Sequence, residues 1–338
     1  MKKTHLYIGL IIAFLACYYT FRNVSIKELS DALSSMHFIY LLPALFFTVA
    51  FYFIRAVRWK YLLLSVKEVH YYRLFSPVMI GFMANLLPAR VGELIRAYLL
   101  GKREKISFSS SFATIVVERI FDMSAILIMI GSLLFLQPEL TSKKNVLGDS
   151  AMIEKIVMFG WVGLIIVVLF FLFTILLIYK QELVISWIKF ICRPLSESIQ
   201  TKILDSFNSA TEALYSLKNF KTTLTVILLS AVLWTFSLLS YYPFYFAFEI
   251  DYLPFSSLII VFIIICIFIT IFPTPGFVGS FQLACMVGLH NIFNVPEATA
   301  ASFGIVTWAF SMGITVIGGV FFIIKDNISM KDITKAYT

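Results

Sequence analysis

The sequence predicts an all-α, polytopic integral membrane protein, and three observations carry that reading. Hydrophobic residues make up 60% of the 338 residues and charged residues only 14%, against about 25% charged in a soluble domain. Apolar runs recur near the length of about 20 residues that crosses a hydrocarbon core about 30 Å thick. A register shift of 187 residues pairs PARVGEL, Pro88 to Leu94, with PGFVGSF, Pro275 to Phe281. Each half of the chain therefore breaks an apolar stretch with proline and glycine.

About eight hydrophobic helices are expected: Leu6 to Tyr19, Phe38 to Leu64, Leu74 to Leu87, Ile106 to Leu136, Ile156 to Tyr179, Thr223 to Phe248, Leu253 to Phe272 and Ala298 to Ile324. The first, preceded by MKKTH, resembles a signal peptide, and FLAC at Phe14 to Cys17 hints at a lipoprotein cleavage site. A chain that crosses the membrane repeatedly has little use for a removable signal, so this helix is expected to stay. The second ends in Arg55, Arg58 and Lys60. The third runs into Pro88. Between the fifth and sixth, residues 180–221 place Trp187, Ile188, Ile191 and Leu195 at helical spacing, which predicts amphipathic helices on the cytoplasmic membrane surface. A helical hairpin outside the bilayer is the alternative.

Loop charges orient the chain. With Lys2 and Lys3 cytoplasmic, Arg55, Arg58 and Lys60 also fall inside, as the positive-inside rule requires. If Leu74 to Leu87 crossed fully, Arg90, Arg96, Lys102, Arg103 and Lys105 would face outward and every later loop would invert. The stretch from Leu74 to Leu100 is therefore expected to enter from the cytoplasm, break near Pro88 and return. Lys325, Lys331 and Lys335 are then cytoplasmic, and both termini lie inside. In the 187-residue register Ala97 pairs with Ala284, Gly101 with Gly288, Ser124 with Ser311, and Ile130–Gly131 with Ile317–Gly318. By the charge argument the second break enters from outside. This predicts inverted repeats, about 38–136 and 225–324, with two re-entrant elements in a single domain over 1–338, an arrangement typical of transporters.

Helix four carries VVERIFD, so Glu118, Arg119 and Asp122 sit inside an otherwise uncharged run. Each costs about 2.5 to 3.5 kcal/mol at a helix centre, so they need partners. Glu93, Arg90 and Arg96 are the nearest in sequence, and three cations then balance three carboxylates. Two readings follow: a closed ion network that clamps the re-entrant segment to helix four, or guanidinium forks that receive a phosphate. The zero sum motivates a hypothesis of proton coupling through Glu93, Glu118 or Asp122, tested by collapsing the pH gradient. Arg55 and Arg58 are expected to snorkel and anchor helix two, with capture of a lipid headgroup as the alternative. In the second break, Thr274, Gly276, Gly279, Ser280 and Gln282 offer hydroxyls and exposed amides that can hold an anion or simply turn the chain. Trp308 is expected to pack, and His290 to be solvated.

The formal net charge of +8 is read as membrane orientation, so no nucleic-acid partner is expected. Cys17, Cys192, Cys266 and Cys285 show no metal or disulfide spacing. There is no GxSxG, HExxH, P-loop or GxGxxG, so no cofactor, metal or catalytic residue is expected and the chain is read as a non-enzyme. Glu28 and Asp31 are the only hint of a rival, a membrane glycosyltransferase-type enzyme using lipid-linked sugar.

GFMANLLPARVGELIRAYLL, VVERIFD, IRAVRW and PTPGFVGSFQ together resemble the lysylphosphatidylglycerol synthase transmembrane family. That family is the flippase-like domain of multiple-peptide-resistance proteins and of many stand-alone bacterial and archaeal proteins. The likeness runs from about Arg55 to Ile324. It implies movement of a lipid between leaflets, with Asn85, Arg90, Glu93, Arg96, Glu118, Arg119 and Asp122 in the polar centre of the pathway. No aminoacyl-transferase segment follows before Thr338, so synthesis of a lysyl lipid is not expected. Gln282 stands where many members carry Glu, which weakens a proton role there. Stand-alone members often accompany glycosyltransferases. The implied partners are thus an anionic phospholipid or polyprenyl-phosphate-linked glycolipid as substrate, and a glycosyltransferase or other cell-envelope protein, for which a non-transporting scaffold role is a second alternative. The expected location is the inner (cytoplasmic) membrane.

Overall fold

The computed structural model describes residues 3–22, 24–87, 91–136, 180–194, 196–272 and 274–329, with scattered helical positions between 158 and 176. All regular structure among the described residues is helical. In chain order the helices are α1 (Lys3–Phe21), α2 (Ile26–Ser34), α3 (Leu41–Leu63), α4 (Tyr71–Ala84), α5 (Gly92–Glu104) and α6 (Phe108–Leu136). They continue with α7 (Gln181–Cys192), α8 (Glu197–Leu214), α9 (Phe220–Leu239), α10 (Tyr242–Ala247), α11 (Phe255–Ile271), α12 (Ser280–Cys285) and α13 (Glu297–Lys325). Among the described residues three spans, Phe38–Leu63, Phe220–Ala247 and Glu297–Lys325, are long and apolar enough to cross a membrane.

Local chemistry sets several boundaries. Ser25 caps α2, its hydroxyl accepting from the Glu28 N–H at 3.2 Å while the Glu28 carboxylate accepts from the Ser25 N–H at 3.0 Å. Glu28 is thereby occupied as a capping residue. The expected span from Thr223 to Phe248 matches the apolar stretch Phe220–Ala247, which is built of two consecutive helices because Pro243 lies at the start of α10 and cannot donate to the preceding turn. His290 is half-buried rather than solvated: its Nδ1 lies 2.8 Å from the Val295 carbonyl oxygen and fixes the turn before α13.

Two helical hairpins flank α13 from opposite ends. In the first, α5 folds back on α4 so closely that a Cβ on Gly81 would lie 2.9 Å from the Gly92 carbonyl oxygen, and a Cβ on Gly92 would lie 2.5 Å from Asn85 Oδ1 and collide with the Gly81 carbonyl. The two arms touch backbone to backbone, and only glycine fits. Gly92→Ala would gain about 1 kcal/mol of helix propensity but incur overpacking near 3 kcal/mol, so a net loss of about 2 kcal/mol is expected. A thermal melt of the detergent-purified variant matching wild type would contradict that close contact.

The first hairpin reaches only part of the way along its neighbours. Phe82, near its tip, packs on the rings of Phe51 and Tyr52 in the middle of α3, with centroids 6.3 and 5.2 Å apart. Its base is pinned by Arg103 to Asp326 beyond the C-terminal end of α13 (2.7 Å), and by Lys67 to Glu104 (3.0 Å). The second hairpin is α11, a turn at Pro275–Phe277, and α12 continued by a π-helical stretch to Ile292. It lies along the N-terminal half of α13, where a Cβ on Gly304 would be 3.2 Å from Gln282 Cα. Trp308, near the middle of α13, donates from Nε1 to the Gly276 carbonyl at 2.7 Å, so the indole expected merely to pack also anchors the tip.

The two tips meet. The Gly276 N–H donates to the Asn85 carbonyl at 3.2 Å. Gly276 has φ +59°, and a Cβ there would sit 2.9 Å from Leu86 Cδ2. Phe277 follows at φ +62°, a left-handed conformation that a bulky residue adopts only at a cost. Behind this turn α1 approaches so closely that a Cβ on Gly279 would be 2.6 Å from the Ala13 carbonyl oxygen.

The described part of residues 180–221 forms two helices, α7 and α8, packed against each other and the rest of the chain. Helix α8 docks on α6, with the Ser110 hydroxyl donating to the Ser209 carbonyl (2.9 Å), and α7 packs on α8, whose end holds Gln181 through the Tyr215 hydroxyl (2.5 Å).

Candidate functional site

Charge gathers where α3, α5, α6 and α9 converge. Arg55, Arg58, Arg96, Glu118 and Asp122 are all buried, with Arg58 and Glu118 at 0% exposure. Such ions are kept in an apolar interior only when paired and hydrogen-bonded, since removing each from water costs several kcal/mol. The carboxylates therefore serve several cations each. Glu118 accepts from Arg55 at 2.5 Å and from both terminal nitrogens of Arg96 at 3.1 and 2.8 Å, with Arg58 at 3.3 Å. Asp122 accepts from Arg58 at 2.8 Å and from the Trp234 indole at 3.1 Å, with Arg55 at 3.3 Å. Ser230 on α9 takes the other Arg58 nitrogen at 2.9 Å.

Aromatic faces cover the cations. The Arg96 guanidinium lies 3.7 Å from the centre of the Trp59 ring, and Arg55 lies 4.8 and 5.1 Å from those of Phe51 and Phe82. These contacts favour the charged form without spending a hydrogen bond.

Arg119 is the accessible face of this network. Its side chain is 37% exposed, and it reaches Glu93 (39% exposed), Glu118 and Asp122 at 3.3, 3.3 and 3.2 Å. Four guanidinium groups, Arg55, Arg58, Arg96 and Arg119, thus face three carboxylates, Glu93, Glu118 and Asp122, an excess of one positive charge among the described residues. The neutral count that motivated proton coupling does not hold, because it left out Arg55 and Arg58. The expectation that these two snorkel at a helix end is corrected for the same reason. Snorkelling needs an aqueous boundary within reach, whereas both are sealed behind α6 and α9 and pair with its carboxylates. Donors also exceed acceptors: the Nε–H groups of Arg55, Arg58 and Arg96 are buried without a hydrogen-bond partner among the described residues, while Arg119 Nε is ion-paired with Glu93 at 3.3 Å without hydrogen-bond geometry.

Arg90 and Pro88 lie outside the described residues. Asn85 gives its backbone carbonyl to Gly276, while its side-chain oxygen is buried and unpartnered. In the second hairpin Thr274 and Ser280 bond each other at 2.9 Å, and Gln282 Oε1 accepts the Gly279 N–H at 2.7 Å. These groups close their own turn and join the first hairpin through Gly276 rather than through a side chain in the arginine cluster. Sequence reasoning missed Ser230, Trp234 and Trp59. Ser230 and Trp234 stand four apart on one face of the apolar middle of α9, Val226 to Trp234, a pattern that marks a polar contact inside a span.

Among curated proteins, a UPF0104 membrane protein of Methanocaldococcus jannaschii is 26% identical over 322 residues, covering 89% of each chain. A UPF0104 membrane protein of Methanothermobacter thermautotrophicus is 31% identical over 117 residues, 32% of this chain and 35% of that one. A glycosyltransferase of Haloferax volcanii matches at 39% identity over 62 residues, 18% of this chain and 10% of that enzyme. No solved structure matches. Residues 6–319 match the family described as the lysylphosphatidylglycerol synthase TM region, and the chain, a multi-pass membrane protein, belongs to that family.

Proposed function

We propose that this protein moves an anionic lipid, a phospholipid or a polyprenyl-phosphate-linked glycolipid, between the leaflets of the inner (cytoplasmic) membrane, with both termini cytoplasmic and without an enzymatic step. The observation that carries the reading is a buried arginine cluster with one cation in excess and unspent N–H donors among the described residues, exposed at Arg119 beside the junction of two opposed hairpins. Such a cluster lacks what a phosphate brings, namely negative charge and acceptor oxygens in the geometry of a guanidinium fork. Broken helical elements meeting between the ends of the spans are the setting in which transporters hold substrate. The headgroup takes Arg119 from Glu93, the acyl chains stay in apolar surroundings, and relative movement of the hairpins exposes the phosphate to the other side.

The short match to a glycosyltransferase favours lipid-linked sugars among the anionic candidates and a glycosyltransferase as partner. The reading is tested with purified protein in proteoliposomes carrying fluorescent phosphatidylglycerol, with fluorescent phosphatidylcholine as the zwitterionic control. Faster exchange of the anionic lipid than in protein-free vesicles is expected. Equal rates with and without protein, for phosphatidylglycerol and for a polyprenyl phosphate alike, would discard transport in favour of a scaffold.

A further inference from the structure

Away from the arginine cluster, α6, α7 and α8, with Phe173 from the segment before α7, line an open groove of about 650 Å³, within the range of small-molecule sites. Phe112 and Val116 of α6, Trp187 and Ile188 of α7, and Phe207 and Ala210 of α8 form its walls. Val117, Val184 and Leu214 are its buried floor, 2%, 4% and 7% exposed. The polar lining is limited to Ser109, Ser206 and Thr211, and the Thr211 hydroxyl is already spent on the Phe207 carbonyl at 2.9 Å.

The face on which the groove opens identifies its occupant. Leu183, Trp187, Phe190 and Ile191 are exposed and fall on one arc of α7, while Lys189 and Arg193 fall on the opposite arc. That is the pattern of a helix lying in a membrane interface with its apolar side toward the hydrocarbon. Trp187 and Ile191 belong both to this arc and to the groove, so the groove is continuous with the bilayer. A peptide would bring backbone N–H and C=O groups that this lining cannot satisfy. A hydrocarbon chain brings none.

We propose that the groove is a binding site for one acyl or isoprenoid chain of a membrane lipid. Its position adds a link that rests on the transport reading above. Phe112 and Arg119 are seven residues apart, so they share a face of α6 about 10 Å apart along its axis. A lipid chain lodged beside Phe112 brings its phosphate within reach of the one half-exposed guanidinium of the cluster.

The test uses the full chain purified in detergent, with phosphatidylglycerol carrying a photoreactive diazirine near the end of one acyl chain, and mass spectrometry of the cross-linked peptides. Label concentrated in Phe108–Val117, Gln181–Cys192 and Glu197–Leu214 is expected. It should fall about tenfold in Ala113→Trp/Ala210→Trp, equivalent to losing burial of roughly two methylene groups. Should that double variant fail to fold, Val116→Trp, at a partly exposed wall position, replaces it. Label spread evenly over the apolar surface, or undiminished in a folded groove-filled variant, overturns the site. Groove labelling by a protein that moves no lipid would sink the transport reading and leave the chain site standing.

Discussion

Glu118→Ala is expected to yield no stable folded protein. Its carboxylate is shared by Arg55, Arg58, Arg96 and Arg119, and without it Arg55 and Arg58 keep Asp122 while Arg96 loses the carboxylate it is paired with. Breaking even one buried pair by removing one partner costs about 3 to 5 kcal/mol, a large share of the 5 to 15 kcal/mol that holds a typical domain together. Glu118→Gln retains the volume and one acceptor and should be milder, though still lower in thermal midpoint by about 10 °C. Size-exclusion profiles and thermal melts in detergent read both. A monodisperse Glu118→Ala with a near wild-type midpoint would mean that the network is not the structural centre its geometry implies.

Arg119→Gln should separate folding from lipid movement. The side chain is partly exposed, and its removal leaves Glu118 and Asp122 with the three buried arginines, so the variant is expected to purify normally. A hydrogen bond to a charged group contributes about 1.5 to 3 kcal/mol, which converts to a fall of about 10- to 100-fold in the transport of phosphatidylglycerol. Glu93→Gln should act in the opposite sense on binding: with the competing carboxylate gone, half-saturation falls, while release slows. If Arg119→Gln moved lipid at the wild-type rate with unchanged half-saturation, the headgroup would have to be held elsewhere.

The legible parts of the fold were those written in local chemistry. The VVERIFD charges had to be paired in an apolar helix, and the prolines and glycines of PARVGEL and PGFVGSF marked the two chain breaks. The depth of a charge was not written locally. Arg55 and Arg58, three apart at the end of an apolar run, look the same whether they reach out to water or in to a neighbour. The outcome depends on α6 and α9 closing over them, a long-range arrangement that no spacing within α3 reveals. The lone Ser230 and Trp234 gave a faint signal that became meaningful only once Arg58 and Asp122 lay beside them. The docking of α7 and α8 was equally hidden, because an amphipathic arc faces lipid or protein with the same residues.

Among the described residues, the backbones of the opposed hairpin tips are joined by a single hydrogen bond, from Gly276 to Asn85. A clasp so slight has a thermodynamic effect on the whole molecule. Letting it go forfeits on the order of 1 kcal/mol, so the parted and joined forms are nearly isoenergetic as far as that contact is concerned. On the transport reading proposed above, cargo with even a modest preference for one form would decide which is populated.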